Sequence, residues 1–231
     1  MKTIVLLLLI TIQSYAQNFD YKNYTSLLSK HVSNKGKVNY DLLLTNKADL
    51  DKIIAEFEKT YPTNSWSKNE ILAYYINSYN VYTLKKIIDN YPTKSIKNIG
   101  NAWDDKFIAL GSKKISLAYI EHSILRKMNE PRIHFAINCA SYSCPDLANV
   151  PYLPNTIESQ LEAATKDFIN DSSKNSITSD EIKISEIFNW FSGDFKTKNS
   201  SLIDFINKYA TLKVEENAKI KYLKYNWNLN K

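Results

Sequence analysis

The strongest structural signal in the 231-residue chain is a long helix that is apolar around most of its circumference. Ser67 and Glu70 have the spacing of a capping box, in which two side chains satisfy backbone N–H groups of the first helical turn. Apolar residues then recur up to Pro92, which cannot continue a helix. They are Ile71, Leu72, Ile76, Val81, Leu84, Ile87 and Ile88. A helix with so few polar positions is expected to be largely buried.

Three other segments predict helices. Ser116 precedes an apolar stripe at helical spacing, and Asn155 and Glu158 again have capping-box spacing before a further amphipathic segment. The segment from Ser201 to Tyr209 predicts the last of these helices. The two stripes consist of Leu117, Ile120, Ile124 and Met128, and of Ile157, Leu161, Ala164 and Phe168.

Strand signals are shorter than the helical ones. Residues 132–138 alternate apolar and polar side chains, as a half-buried strand does. The other candidates are residues 107–110 and 114–115 on either side of Gly111, residues 177–184 and residues 219–225. Because helix exceeds strand and the two do not alternate regularly, the predicted fold class is α+β. We expect one domain over residues 17–231, mainly helical with a small, largely antiparallel sheet.

Residues 1–16 predict a signal peptide. Lys2 is followed by the apolar stretch 4–12 and by the small-x-small pattern Ser14-Tyr15-Ala16, which precedes a cleavage site. As a helix the apolar stretch rises only about 14 Å, less than half of a bilayer core, so we expect cleavage and not a retained anchor. The mature chain is then periplasmic or extracellular, without a membrane partner, in a compartment that permits disulfides.

Composition excludes several classes of protein. Hydrophobic residues make up 44% and charged residues 23%, as in soluble globular proteins. Four glycines are too few to favour a glycine-rich phosphate loop. Removal of the single lysine in residues 1–16 lowers the formal net charge from +6 to +5, and the lysines are scattered along the chain. We therefore expect no nucleic-acid partner.

Cys139 and Cys144 are the two cysteines of the chain. Cys139 directly follows the predicted strand, where uncommitted N–H groups and a protonated histidine would lower the pKa of its thiol and make it a nucleophile. The four residues between the cysteines also allow the chain to turn back into a disulfide. An inert buried thiol and a redox switch between the two states are further interpretations.

His122 is the expected partner of Cys139. If the chain between His134 and Cys139 were extended, their Cα atoms would lie roughly 16 Å apart, too far for a hydrogen bond. His134 would qualify only if the chain doubled back after Asn138. The helix that bears His122 can dock over the end of the strand, whereas His31 lies in a polar stretch that predicts a surface position.

Two charged side chains of the same helix are candidates for the site. Glu121 lies in one row with apolar residues, and a desolvated carboxylate must find a partner, such as Arg132 or a histidine, or take up a proton. The alternative is a rim position paired with a surface lysine. Arg126, four residues after His122, either orients a substrate carboxylate or braces the helix.

Two amides of the long apolar helix have the same kind of ambiguity. Asn77 and Asn80 lie three residues apart on a helix that offers few polar neighbours. Because buried amides need several hydrogen bonds each, the pair either ties down loop backbone or lines a pocket.

No metal and no cofactor are expected. His122, His134, Glu121 and Cys139 include enough ligand types for zinc, but the chain has no HExxH motif, no CxxC motif and no paired-histidine spacing. A Gly-x-Ser-x-Gly turn, which would indicate an α/β-hydrolase, is absent as well.

Taken together, these motifs resemble the DUF547 family, a domain of unknown function. The resembling stretches are residues 72–80 (LAYYINSYN), 120–126 (IEHSILR), 131–139 (PRIHFAINC), 143–145 (SCP) and 187–195 (IFNWFSGDF). The resemblance covers most of residues 17–231 and implies a fold and a site without an activity. Plant members often keep the equivalents of Glu121, His122 and Cys139 and lose the second cysteine, which implies that Cys139 matters more than Cys144.

The expected function is that of an exported cysteine hydrolase or acyltransferase that acts on an amide or thioester bond of a small molecule or peptide. Cys139 would attack, His122 would be the general base and Glu121 would orient or charge the imidazole. Adjacent residues of an α-helix point about 100° apart, so direct contact between the last two is the weakest element of this scheme. The expected supporting residues are Asn77, Asn80, Arg126, Arg132, His134, Asn138 and Ser141, with backbone amides near Ala140 and Ser141 as the oxyanion site.

Two alternatives stay open. The first is a non-catalytic module that binds a ligand or partner and is stapled by a Cys139–Cys144 disulfide. The second is a thiol redox protein, although the two cysteines do not form a CxxC motif.

Overall fold

The structure, a computed structural model, describes residues 19–231, and the predicted signal peptide lies outside the described residues. The described chain begins with four helices: α1 (Lys22–His31), α2 (Tyr40–Thr45), α3 (Lys47–Lys59) and α4 (Lys68–Ile88). The predicted capping box is confirmed, because Ser67 Oγ accepts from Glu70 N (3.3 Å) and Glu70 Oε2 accepts from Ser67 N (2.7 Å). Most side chains of α4 are buried; α2 and α3 pack against it, and α1 packs against α2 and α3.

The segment after Ser116 is helical but irregular. Ser116 Oγ accepts from Tyr119 N (3.1 Å), as a helix cap does. The chain then forms a π-helical turn over Tyr119–Ile124 and a 3-10 turn over Leu125–Met128, where the apolar stripe predicts a regular α-helix. A π-helical turn accommodates one additional residue in its hydrogen-bonded ring and often occurs at functional sites.

The strand predicted over residues 132–138 is wrong. Residues Pro131–Phe135 form a 3-10 helix, which begins with proline in its first turn, where the missing N–H is not needed. The side chain of Glu130 accepts from Arg132 N (3.1 Å) and so caps the turn. The alternation of apolar residues is real, but the local start signal at Glu130 and Pro131 outweighs it.

The start of α5 and the position of His31 differ from the predictions. The predicted helix after Asn155 is confirmed as α5 (Ile157–Asn170), but its N-cap residue is Thr156 and no side chain caps it. His31 is buried, with 3% exposure, because it lies on the inner face of α1 and not on the surface.

Two small sheets complete the fold. The predicted hairpin is confirmed as β1 (Ile108–Leu110) and β2 (Lys113–Ile115), with Gly111 at a φ of +59° in the turn. The second sheet has the order β3 (Ser176–Ile177), β4 (Glu181–Ser185) and β5 (Lys219–Leu223). Its β3–β4 pair is antiparallel and its β4–β5 pair is parallel. The predicted α+β class is therefore confirmed.

The short helices α6 (Ile187–Trp190) and α7 (Leu202–Asn207) flank the second sheet. The predicted start of α7 at Ser201 is confirmed by a capping box with Asp204. Buried side chains form two clusters, one around α4 and one around the second sheet. The second cluster is rich in phenylalanine: Phe135, Phe168, Phe188, Phe195 and Phe205. Within residues 19–231, no helix is both long and apolar enough to cross a membrane.

Candidate functional site

A cleft of about 270 Å³ lies where the two apolar clusters meet. It brings together both cysteines and residues from α4, the π-helical turn, the 3-10 helix Pro131–Phe135, α6 and the segment after β5. Its polar lining consists of Glu121, His122, His134, Cys139 and Cys144. Its aromatic lining consists of Tyr79, Trp103, Trp190, Phe191, Tyr225 and Trp227. The sequence therefore predicted most of the polar lining and none of the aromatic lining.

Cys139 and Cys144 form a disulfide, with their Cα atoms 6.3 Å apart. Of the interpretations that the sequence left open, the structure has the disulfide form. The two sulfurs differ in their surroundings: Cys144 is buried, with 3% exposure, whereas Cys139 is only partly buried. Cys144 Sγ accepts hydrogen bonds from Cys139 N (3.0 Å) and from Tyr225 OH (3.1 Å). Two donors therefore converge on the less accessible sulfur.

The more accessible sulfur has weaker contacts. Cys139 Sγ lies 3.5 Å from Ser141 Oγ and 3.5 Å from Tyr225 OH. Within the described part of the chain, no hydrogen bond joins this sulfur to a histidine. The expected Cys139–His122 hydrogen bond is thus not part of the disulfide form.

Buried asparagines hold the loop that carries the disulfide. Asn80 on α4 accepts from Asn138 N (2.8 Å) and donates to Ala136 O (2.9 Å). Asn138 donates to Pro145 O (2.7 Å) and accepts from Ala140 N (2.7 Å). Asn80 thus ties down loop backbone, which is the first of the two roles considered for it. The Ala140 N–H, an expected oxyanion donor, is already used.

Ala140 has a φ of +61°, in the left-handed region that side chains with a Cβ rarely adopt. The conformation persists because the backbone N–H and C=O of Ala140 are both hydrogen-bonded. Ala140 N donates to Asn138 Oδ1, and Ala140 O accepts from Asn230 N (3.0 Å). The turn at Ala140 brings the backbone round so that Cys144 reaches Cys139.

Residues 226–230 run along the outer side of this loop. Tyr142 N donates to Asn228 O (2.7 Å), and Ser143 N donates to Asn226 O (3.2 Å). The segment is fixed in turn at Asn230, whose side chain accepts from Tyr40 OH (2.6 Å). The disulfide loop is therefore held between α4 and a segment far away in sequence.

Asn77 also has a structural role. Its side chain donates to Tyr152 O (2.7 Å) and accepts from Tyr152 N (2.9 Å), which satisfies one peptide unit of the loop before α5. It does not line the cleft.

Glu121 lies on the floor of the cleft with 7% exposure. Its Oε2 accepts from Tyr79 OH (3.2 Å), so its partner is neither Arg132 nor a histidine. Burial raises the pKa of this carboxyl to about 7, although the Tyr79 hydroxyl and the Arg126 charge act in the opposite direction. Glu121 therefore exchanges a proton near neutral pH, as the sequence argument about a desolvated carboxylate anticipated.

The π-helical turn explains how Glu121 and its neighbour His122 both reach the cleft. Because a π-helix contains more residues per turn than an α-helix, consecutive side chains are separated by a smaller angle. The two side chains nevertheless bind different partners, Tyr79 and Arg126 respectively. Glu121 and His122 therefore form no direct hydrogen bond with each other, in line with the weak point noted for the predicted scheme.

His122 is exposed at the mouth of the cleft. Arg126 Nη1 lies 3.4 Å from His122 Nδ1, and because a guanidinium can only donate, Nδ1 is the acceptor. Partial desolvation, together with the Arg126 charge, lowers the pKa of His122. The lowered pKa makes His122 a weaker base, and the hydrogen bond from Arg126 occupies the lone pair of Nδ1. Both observations oppose the expected role of His122 as general base.

His134 is part of a buried charge network. Its Nε2 lies 2.8 Å from Asp194 Oδ2, and Arg126 binds the same carboxylate through Nε (2.6 Å) and Nη2 (2.9 Å). The Arg126 hydrogen bonds lower the pKa of Asp194, so the carboxylate accepts and His134 Nε2 donates. Burial lowers the pKa of His134 to about 4, and its ring stacks on Phe191 at 4.1 Å. His134 is therefore neutral at pH 7, with Nδ1 as its acceptor.

The expected separation of His134 from Cys139 applied to an extended chain, and the chain is not extended at His134. The 3-10 helix over Pro131–Phe135 shortens the path, so His134 and Cys139 line the same cleft. Arg126 braces its own segment against Asp194, which is the second role considered for it.

Arg132 is placed outside the cleft. Its guanidinium forms ion pairs with Glu130 (2.6 Å) and Glu158 (2.8 Å) at the start of α5. Ser141 lies under the loop with 1% exposure, next to Cys139 Sγ.

Sequence reasoning missed several residues of the site: Tyr79, Trp103, Trp190, Phe191, Asp194, Tyr225 and Trp227. Three of these, Trp190, Phe191 and Asp194, belong to the segment 187–195, whose resemblance to the family was noted without a role. Tyr225 and Trp227 follow β5 and carry no spacing signal. Only the tertiary fold brings them to the cysteines.

In the part of the chain that the structure describes, no group of three or more His, Cys, Asp or Glu side chains is arranged to hold a metal ion.

The family comparison agrees with the motifs. The family model described as "Protein of unknown function, DUF547" matches residues 63–169. This range contains Glu121, His122, His134 and both cysteines, whereas Asp194 and Tyr225 lie beyond it. No curated protein and no solved structure matches the chain. The predicted resemblance to this family is thereby confirmed over residues 63–169, and the resembling segment 187–195 lies beyond the match.

Proposed function

We propose that the cleft carries out thiol–disulfide exchange through Cys139 and Cys144. The observation that supports this function is the asymmetry of the two sulfurs. Cys139 Sγ is the accessible one, and Cys144 Sγ is buried and receives the Cys139 N–H and Tyr225 O–H donors. In an exchange reaction the attacked sulfur must be accessible, and the other must leave as a thiolate. Cys139 meets the first requirement because it is accessible, and Cys144 meets the second because its sulfur accepts two hydrogen bonds.

The exchange proceeds in two displacement steps. A substrate thiolate attacks Cys139 Sγ, a sulfur–sulfur bond forms between them, and the Cys139–Cys144 bond breaks with its electron pair on Cys144. A second thiolate of the same substrate then attacks the substrate sulfur and releases Cys139 as a thiolate. The substrate dithiol is oxidised to a disulfide and the cysteine pair is reduced. A small disulfide, such as oxidised glutathione, regenerates the pair.

Tyr225 and Glu121 have complementary roles in this scheme. The Tyr225 hydroxyl and the Cys139 N–H stabilise the charge that develops on Cys144, since hydrogen bonds to charged acceptors are stronger than neutral ones. The pKa of Glu121, about 7, suits a group that accepts the proton of a reduced cysteine in the cleft and returns it. Because the pair is oxidised, an exported location with an oxidising environment fits the proposal.

Two matched variants test the proposal. Cys144→Ser retains the accessible sulfur, and Cys139→Ser retains the buried one. After incubation with oxidised glutathione, mass spectrometry is expected to find the mixed disulfide on Cys139 at least about tenfold faster than on Cys144. A faster reaction at Cys144, or no adduct on either variant, would contradict the exchange function. The second outcome would favour the stapled, non-catalytic module.

A second candidate is the cysteine hydrolase or acyltransferase. The specific observation in its favour is that Glu121, His122, His134 and Cys139 share one cleft. After reduction of the disulfide, Cys139 would attack an amide or thioester carbonyl. His134, oriented by Asp194, is the better placed base, because Arg126 engages His122 Nδ1.

Cys144→Ala separates the two candidates. A hydrolase needs only Cys139, so reduced wild-type protein and Cys144→Ala would hydrolyse an acyl thioester at similar rates. Thiol–disulfide exchange needs both sulfurs, so the variant is expected to lose catalytic oxidation of a dithiol. This second outcome is the one that we expect.

A further inference from the structure

The surface next to the reactive sulfur is mainly aromatic. Trp190 stacks on Trp227 at 5.6 Å with 23° between the ring planes, and Tyr225 lies 4.8 and 4.6 Å from these two rings. Trp103 stands nearly perpendicular to Trp227, at 5.9 Å. We call Trp103, Trp190, Tyr225 and Trp227 the aromatic wall. It lines the same cleft as Cys139.

Trp190 is the exposed member of this wall. Its exposure is 46%, although its ring belongs to a packed stack whose other members are at least partly buried. A large apolar surface that is left open beside a reactive group marks a contact site for a ligand. A substrate that reacts with Cys139 must enter this cleft. We therefore take the ligand of the open aromatic surface to be the substrate of Cys139.

The charges around the wall exclude some chemistries. His122 and His134 have lowered pKa values, and the charge of Arg126 is matched by Asp194 outside the lining. Lys97 Nζ lies over Trp227 at 5.0 Å and is the cation associated with the wall itself. A ligand that enters the cleft therefore meets mainly ring faces, which favour an apolar or aromatic group over a highly charged small molecule.

From this surface we infer that the substrate is a polypeptide whose reacting cysteine is flanked by an aromatic residue, with the aromatic ring stacked on Trp190. This inference rests on the proposed thiol–disulfide exchange and specifies its substrate class. Offset stacking of one further ring on an open tryptophan face adds affinity beyond area burial, so the expected preference is about tenfold over an alanine neighbour.

The test uses two reduced peptides of equal length and charge, with either Trp or Ala next to the single cysteine. The rate at which each peptide forms a mixed disulfide with Cys139 of the full-length protein is divided by its rate of reaction with hydroxyethyl disulfide, which corrects for intrinsic thiol reactivity. The readout is the ratio of the two corrected rates. Wild-type protein is expected to give a ratio of about ten, and Trp190→Ala a ratio near one.

Two further variants keep the test decisive. Trp190→Phe retains a ring and is expected to give an intermediate ratio even if Trp190→Ala does not fold. Tyr119→Ala removes an aromatic side chain with 47% exposure that does not line the cleft, and it should keep the wild-type ratio.

The outcomes separate the two proposals. A ratio near one in the wild type, with both peptides reacting, overturns the substrate inference and leaves the exchange function in place. A ratio of about ten that survives in Trp190→Ala overturns the assignment of Trp190. If neither peptide nor dithiothreitol reacts at Cys139, the exchange function itself is overturned.

Discussion

Glu121 lines the cleft and Asp194 lies outside its lining, and the surroundings of these two carboxyl groups differ in one respect. Glu121, beside α4, is buried against a hydroxyl, and burial raises its pKa to about 7. Asp194, in the segment after α6, binds a guanidinium and an imidazole N–H, and its pKa is lowered. A hydroxyl partner cannot offset the desolvation of a carboxylate, whereas a bidentate guanidinium can.

The difference shows how one site contains a group that exchanges protons and a group that stays charged. It also predicts opposite pH dependences. A carboxyl whose folded pKa is raised loses stability as the pH rises from about 4.5 to about 7. A carboxyl whose folded pKa is lowered contributes stability above its unfolded pKa of about 4 and loses it as the pH falls below that value.

The largest effect is expected from Asp194→Asn. The substitution leaves Arg126 without its carboxylate and weakens the acceptor of His134, so the free energy of unfolding should fall by about 3 kcal/mol at pH 7. Urea denaturation at several pH values measures it, with the exposed Asp167→Asn as control. The difference from wild type should shrink below about pH 4. A pH-independent difference would contradict the assignment of a charged Asp194.

Glu121→Gln is expected to have the opposite sign. Because the folded protein bears the cost of ionising Glu121 above pH 7, a neutral isostere should raise the free energy of unfolding by about 2 kcal/mol at pH 8. The amide can still accept from Tyr79. The same urea titrations should also show a flatter profile between pH 4.5 and 7 than in the wild type. Glu216→Gln, at an exposed position, is the control, and an equal slope in both variants would refute the raised pKa.

Arg126→Lys should produce the smallest change. Lysine retains the charge but cannot form both fork hydrogen bonds to Asp194, so a loss of about 1 kcal/mol is expected. Since the charge near Glu121 is kept, the carboxyl resonance of Glu121 in NMR titrations should still titrate near pH 7. A large shift of this midpoint would show that the guanidinium geometry, and not its charge, controls Glu121.

Elements with local signals were predicted well from the sequence. The capping box at Ser67, the helix start at Ser201 and the hairpin around Gly111 are decided by residues within a few positions, and all three are confirmed. The failure at residues 132–138 has a local cause too, because Pro131 starts a 3-10 helix despite strand-like alternation. The π-helical turn has no comparable sequence signature.

The site was only half predictable, for a physical reason. Cys139 and His122 stand out because cysteines and histidines are few in this chain, and Glu121 stands out because it lies in a row of apolar residues. Asp194 and Tyr225 are common residue types whose importance comes from contacts with His134 and Cys144, 60 and 81 positions away. Such long-range pairings follow from the packing of the two apolar clusters, which periodicity does not encode.

The pairing of residues 226–230 with the disulfide loop has a consequence for proteolysis. A cut between Leu223 and Tyr225 would leave every helix and strand described above uncut. It would, however, detach residues 226–230, whose hydrogen bonds hold Ala140 in its left-handed turn. The loop that bears the two sulfurs would lose its hydrogen bonds to residues 226–230, and Cys144 would lose the Tyr225 donor. We therefore expect such a cut to impair the proposed thiol–disulfide exchange.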